Sequence, residues 1–537
     1  MRFRFLLGLI LGFLSVRTVA APPEPFPGLG RKWTHYQSPN FELYSGRSED
    51  DSRTLLEQME LLRALFLDTF KMPVRIPQPV TIFAFGSDKD FKAYIPPDKR
   101  GSASYDGFCL THPDRTVITM APGWSQDSTS QIVYHEYIHC IQHMAEEHPP
   151  PWYNEGVAEL FSTIKVDKKW VTFGTPLPGR ILTLRQRKLM PIERLFAVPY
   201  DSPSWREEEF ISLFYAESWA LLHYLYFGEN RIPPGKVSLF LRLAGAPEVQ
   251  ERPDLLRANA RELLGMDYPE LEKALDRYTH TGTYIGRKVE RPALPAKETY
   301  AMRLATADEM TLRLAELAVR FTDSAYAKLA ILNRLERAPE ARLNELLGTE
   351  ALHAGEADVA RDRWLQAVEQ GSTNVAVFRE LGRLESNLVF GYFDLDYRMP
   401  AERCTRLRTL LDKSLAAAPE QSAGYEMLAW VEATAPQPDV AAVIRVQQRF
   451  NTLKNKPRTL LALTLVRIRL GKTEEALQML DDLAKIGPDD WVKYCSELTR
   501  ARLEKRPVDQ AKLPKSPGVR AGGIVMRPPT LELTPPH

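Results

Sequence analysis

The stretch Ile132–His143 reads IVYHEYIHCIQH and contains His135-Glu136-Tyr137-Ile138-His139, an HExxH pattern. On a helix, residues i and i+4 share one face, with Cβ atoms about 5–6 Å apart. Two imidazoles at that spacing can fill two corners of a tetrahedral zinc site. Glu136 lies on the flank of the same face, where it can act as general base toward a water activated by the metal. The site needs a third protein ligand. His143 continues the i+4 series, but it sits about 12 Å along the helix from His135, too far for one ion with bonds of about 2.0–2.1 Å. Glu155, in WYNEGVAELF, is the better candidate. It follows His139 closely enough for a helix–turn–helix return to bring it back over the histidines. Glu159 is i+4 from Glu155 and faces the same way. It is expected to hold a ligating imidazole through the other ring N–H, as groups behind metal ligands commonly do. His143 and His223 are read as structural.

These residues must be positioned by the elements around them. FELYS (Phe41–Ser45) and VTIFAF (Val80–Phe85) read as strands. Leu55, Leu56, Met59, Leu62, Phe66 and Phe70 recur at helical spacing over Asp51–Phe70. YDGFCL and TVITMA flank a His-Pro-Asp-Arg turn, which predicts a hairpin over Tyr105–Ala121. The HExxH helix is expected from about Asp127 to Glu147, stopped by Pro149–Pro151. A helix over Trp152–Ile164 and an apolar helix over Ile211–Phe227 follow. Strands first and helices afterwards predict an α+β domain.

Residues 286–299 (GRKVERPALPAKET) carry two prolines, charges and little apolar content, so a linker is expected there. Beyond it, Met302–Lys505 reads as successive helices. In LHAGEADVARDRWLQAV and IRLGKTEEALQML, a glycine (Gly355, Gly471) precedes an alanine (Ala360, Ala476) by five residues. This resembles the turn and second helix of a tetratricopeptide repeat, where glycine permits the tight turn and alanine the close helix contact. Residues 507–537 hold seven prolines and are expected to be a disordered tail.

HEYIH followed by WYNEGVAE resembles the gluzincin metallopeptidases of the peptidase MA group, in which a Glu of an (N/L)EGxAE-type motif is the third zinc ligand. The region Phe41–His280 is similar to exported bacterial proteins of this group that carry a helical repeat region behind the peptidase domain. The resemblance implies a zincin-like metallopeptidase domain over 28–285 and an all-α, tetratricopeptide-like domain over 300–506. It implies Zn2+ as cofactor, held by His135, His139 and Glu155. In aminopeptidases of the wider clan, a Tyr in a Y-x-K-G segment stabilises the oxyanion. Tyr215 of FYAESWALLHYL takes the matching place, with Glu217-Ser218 where Lys-Gly would stand. Those aminopeptidases also carry a G-x-M-E-N element whose Glu binds the substrate amine. Here the stretch reads GSASYDGF (Gly101–Phe108), with no Glu, and only Asp106 could substitute as an amine acceptor.

Composition sets the limits. The chain has 537 residues, 70 Lys+Arg and 69 Asp+Glu, for a net charge of +1. A nucleic-acid binder usually shows a strong basic excess, so that class is set aside. Residues 1–20 read as a signal peptide: MRFR is basic, FLLGLILGFLSV is apolar, and TVA precedes a cleavage after Ala20. Twelve apolar residues are too few to span a bilayer, and no membrane span is expected after cleavage. Four cysteines occur (Cys109, Cys140, Cys404, Cys495) without a CxxC pair, which supports neither a zinc ribbon nor a thioredoxin-like site and leaves one or two disulfides open. The sequence thus reads as a periplasmic or secreted zinc metallopeptidase, endopeptidase-like, with Glu136 and Tyr215 as catalytic residues. A peptide or protein is its substrate, and TVITMA is expected to align it by edge pairing. The repeats would take a protein partner. The rival readings are a non-catalytic repeat scaffold and a zinc aminopeptidase.

Overall fold

The structure is a computed structural model that describes residues 26–70, 79–96, 107–122, 129–144, 149–228, 232–250, 252–281, 283–322, 324–390 and 393–508. The expected signal peptide, Asp106 and nearly all of the Pro-rich tail lie outside the described residues.

The chain is α+β. Its main sheet is built from β1 (Thr34–Gln37), β2 (Glu42–Ser45), β3 (Val80–Ala84), β4 (Gly107–Thr111) and β5 (Thr116–Met120), with a late strand described below. The strand order is β4-β5-β3-β2-β1, with the late strand beyond β1. β2 and β5 run parallel to β3, and the other pairs are antiparallel. All five residues of β3 and of β5 are buried, as strands covered on both faces must be. β5 is paired on both sides, so TVITMA has no free edge. The expectation that it aligns a substrate is corrected: among the described residues, the edge strand on that side of the sheet is β4.

Side chains alternate between the two faces. Leu43, Ile82, Ala84, Cys109, Ile118 and Met120 enter one core with α1 (Glu49–Phe70) and α2 (Thr129–Met144). The same core takes α3 (Pro151–Ser162), α4 (Pro178–Gln186) and α5 (Glu208–Phe227). The α2 register is held to α1 where the Tyr134 hydroxyl donates to Gln58 Oε1 at 2.9 Å. A small antiparallel sheet of β6 (Lys165–Val166), β7 (Trp170–Phe173) and β8 (Arg287–Glu290) sits behind α3.

β8 lies within residues 286–299, the stretch expected to be a linker, and pairs with β7. Ala301–Leu304, expected to open the helical region, is strand β9 and pairs with β1. Short, exposed strands of this kind give little apolar alternation to read: all four β9 residues are exposed. The other face of the main sheet is covered by the start of the helical region. Tyr44, Phe83, Phe108 and Val117 share a core with Met310, Leu314, Leu317 and Phe321 of α6 (Ala307–Thr322). Charged groups cross the same seam. Arg320 grips both carboxylate oxygens of Asp114, in the β4–β5 turn, and the two side chains are 1% and 0% exposed. Arg342 reaches Glu42 at 2.9 Å and Glu316 at 3.0 Å. Buried charges are tolerated because they are paired.

Beyond α6 the described residues are helical. α7 (Ala325–Arg337) leads to the hairpin of α8 (Ala341–His353) and α9 (Ala357–Glu369). A later hairpin joins α10 (Lys456–Arg469) to α11 (Thr473–Lys485). Gly355 and Gly471 have φ +79° and +75°, the left-handed region that ends a helix cheaply only with glycine. The following N–H groups bond back in the same way, Glu356 to Ala351 at 2.8 Å and Lys472 to Arg467 at 2.9 Å. Ala360 and Ala476 are both fully buried. No described helix is long and apolar enough to cross a membrane.

Candidate metal centre

α2 carries His135, Glu136 and His139 in its middle turns. α3 begins with Pro151 at its first position, where the missing N–H costs nothing and the fixed φ suits the helix. Trp152, fully buried 4.4 Å from the Phe196 ring, anchors that end. Glu155 then falls one turn into α3, facing α2. The next residue is Gly156, where a Cβ would stand 2.6 Å from the Ser218 carbonyl oxygen of α5. Only glycine lets α3 and α5 approach this closely, and that approach brings Tyr215 to the same cluster.

Three atoms converge. His135 Nε2 lies 3.1 Å from His139 Nε2 and 3.2 Å from Glu155 Oε2, and His139 Nε2 lies 3.4 Å from that oxygen. Four ligands placed tetrahedrally at zinc bond lengths stand about 3.3 Å from one another. The outer nitrogens face acceptors. His135 Nδ1 faces Glu159 Oε1 at 3.5 Å, and His139 Nδ1 faces Asn154 Oδ1 at 3.0 Å. A carboxylate and an amide oxygen only accept, so an Nδ1–H on each ring suits these partners and would leave an Nε2 lone pair pointing inward. Three acceptors at these distances repel unless a cation sits among them. The chain alone can supply only a proton. Burial lowers the His135 pKa, but Glu155 and the other nearby carboxylates outweigh it and raise the value above that of an ordinary histidine. Burial pushes Glu155 up, yet the two imidazoles hold its carboxyl down at about 2. The donor set, two imidazoles and a carboxylate, suits zinc.

Glu159 is 4% exposed and is gripped from behind by Arg180, with N–O distances of 3.0 and 2.8 Å. The same guanidinium lies over the Tyr215 ring at 5.2 Å. Tyr215 is half-buried, its ring 6.0 Å from that of His135. Burial raises its pKa, and the field of Glu155, Glu136 and Glu159 adds to this, so the hydroxyl keeps its proton. Glu136 is half-buried and within electrostatic reach of both His135 and Tyr215. The structure therefore brings His135, Glu136, His139, Glu155, Glu159 and Tyr215 together. His143 is exposed. His223 is buried, with Nδ1 2.6 Å from the Tyr278 hydroxyl.

Sequence reasoning missed Arg180 and Asn154. Asn154 adjoins Glu155 and could have been found from the α2–α3 return. Arg180 lies on α4, with no motif around it. Glu217, which stands where the aminopeptidase pattern has Lys, points into the core. It is fully buried and accepts the Met190 N–H at 3.0 Å. Burial pushes it up to about 8, so it is neutral at pH 7.

A second set of His and Glu atoms also lies within 4.8 Å: His112, in the β4–β5 turn, with Glu350 and His353 on α8. The His112 and His353 rings are 4.9 Å apart. Burial, and after it the Arg320 guanidinium, lower the His112 pKa to about 3 against the opposing pull of Asp114. The chain matches no family model and no curated protein, so the functional reading rests on this geometry.

Proposed function

We propose that the chain is an exported zinc-dependent metallopeptidase of gluzincin type, with a zincin-like catalytic part and a tetratricopeptide-like helical part. The observation that carries the reading is the set of three inward-facing acceptor atoms at the spacing of tetrahedral zinc ligands, with Glu136 beside them. His135, His139 and Glu155 would hold the ion. Bound there, zinc supplies Lewis acidity, which polarises a scissile carbonyl and makes water a better acid.

The chain's own groups do the rest. Glu136 takes the proton of the attacking water and passes it to the leaving amine. Tyr215 donates its hydroxyl hydrogen to the carbonyl oxygen as negative charge develops there. Glu159, fixed by Arg180, holds the His135 ring in its tautomer, and Asn154 does so for His139. An extended peptide can add to the free edge of β4 through main-chain hydrogen bonds, a mode that favours binding within a chain over binding at its end. The helical hairpins offer a surface for a protein partner or for presenting substrate.

The test is metal analysis joined to peptide cleavage. Protein purified without chelator should hold about one zinc per chain and cleave N-terminally blocked peptides in a mixed library, and chelator should stop cleavage until zinc is restored. His139→Ala should lose both metal and activity. A zinc-free protein that cleaves nothing would leave the repeat scaffold as the better reading. Cleavage confined to free N-termini would make it an aminopeptidase.

A further inference from the structure

Cys109 on β4 and Cys140 on α2 bring their sulfur atoms to 2.6 Å from each other. Unbonded heavy atoms sit best about 3.5–4.0 Å apart, and a disulfide bond is about 2.05 Å long. Both residues are buried, at 9% and 6% exposure. Strand alternation places Cys109 on the sheet face that α2 covers, together with Ile118 and Met120. The helix places Cys140 on its buried side, directly after His139. Neither Cys404 nor Cys495 shares a core with this pair; both belong to the helical region.

We propose that Cys109 and Cys140 form a disulfide that ties the free edge strand β4 to the helix bearing His135 and His139. The chemistry is thiol–disulfide exchange with a disulfide-bearing oxidant. One cysteine thiolate attacks the donor disulfide, giving a mixed disulfide and one donor thiolate. The second cysteine thiolate attacks the protein sulfur of that intermediate and releases the second donor thiolate. The two cysteines lose two electrons to the donor, and their two protons pass to the donor thiolates. The bond would span the stretch of chain that includes the β4–β5 hairpin and the first turns of α2. It would fix the distance between the strand open to pairing and the metal ligands.

The test counts and maps thiols. The full chain is purified after export into an oxidising compartment. The same chain is also made in a reducing cytosol and exposed to oxidised glutathione. The second arm separates the geometry from the reading that the protein is exported. After denaturation, two of the four cysteines, Cys404 and Cys495, should alkylate, rising to four after reduction. The non-reduced peptide map should contain a fragment linking Cys109 to Cys140. Cys109→Ser/Cys140→Ser should melt about 10 °C lower than the oxidised chain, the size expected for a loop of this length in a domain of this size. Four free thiols in both arms, or a map showing any other pairing, overturns the proposal.

Discussion

Two places in this chain gather two imidazoles and a carboxylate, and they are built differently. At the first, both histidines come from one helix, one turn apart, so their spacing is set by helix geometry. Each has an acceptor behind it, Glu159 or Asn154, that fixes which nitrogen points inward. The surrounding field is negative, from Glu136, Glu155 and Glu159. At the second, His112 comes from a hairpin turn, and Glu350 and His353 from a helix across the seam. Asp114, the carboxylate nearest in sequence, has both oxygens occupied by Arg320. Burial and the charge of Arg320 both work against a proton on His112. Burial is the larger of the two, and the Asp114 carboxylate partly offsets Arg320. Proximity of ligand-type residues is therefore not enough. What separates the two clusters is the one-helix spacing and held orientation of the first pair, and the burial of His112 in the second.

The comparison can be broken most severely at Glu136, which has no counterpart in the second cluster. Glu136→Gln keeps the shape and removes the acceptor for the water's proton. Peptide cleavage should fall by about 10³-fold or more, with zinc content and melting temperature unchanged. A variant that retains near wild-type turnover would leave the first cluster a metal site without this base.

Tyr215→Phe removes only a hydroxyl. Turnover should drop by about 10²–10³-fold, the usual loss for one oxyanion donor, at unchanged zinc content. Trp219 and Leu222, one and two turns further along α5, are 1% and 0% exposed and fix the helix without the hydroxyl. A loss of stability with full turnover would assign Tyr215 to the core instead, and Tyr153 would be the next donor to vary.

Glu159→Gln sharpens the part of the comparison that concerns orientation. The amide can still accept from His135 Nδ1 but no longer carries charge, and Arg180 is left facing a neutral group. Zinc affinity should weaken about 10–100-fold, measured by competition with a chromogenic chelator. Unchanged affinity would mean that Glu159 serves Arg180 and the fold rather than His135.

Much of the first cluster was legible because it is local. HExxH sets its own geometry once a helix is assumed, and the prolines at 149–151 force the return that delivers Glu155. Tyr215 came from resemblance rather than from spacing, and the packing of Gly156 against Ser218 is what places it. Arg180 was not legible, because an isolated arginine on a short helix carries no pattern until the fold brings it to Glu159. The helical hairpins were readable at Gly355 and Gly471, where the backbone needs positive φ. Composition says how well a segment such as 286–299 can build a core. It does not say whether exposed residues such as those of β8 and β9 find a sheet edge to pair with. The second face of the sheet was hidden for the same reason: its cover, α6, arrives about 190 residues after β5. Periodicity along one segment cannot reveal such a contact.

The smallest expected effect is at His353, and it decides whether the contrast holds at all. His353 is exposed at the end of α8, and its ring touches His112. If the second cluster binds no metal, His353→Ala removes one ring contact at the surface, and such changes usually shift stability by no more than about 0.5 kcal/mol. Zinc should stay at about one per chain, turnover should stay within about twofold, and the melting temperature should move by about 2 °C or less. A fall in zinc from two per chain to one would show that Arg320 does not exclude a cation, because its charge is neutralised by Asp114 more completely than the lowered His112 pKa implies. The same measurement on His139→Ala supplies the scale. There the loss of one imidazole should empty the first cluster, since two remaining ligands cannot hold zinc against water. Two histidines at similar distances from a partner ring would then differ by the whole of a metal site, and the difference would trace to Asn154 and Glu159 behind one pair and to the burial of His112 in the other.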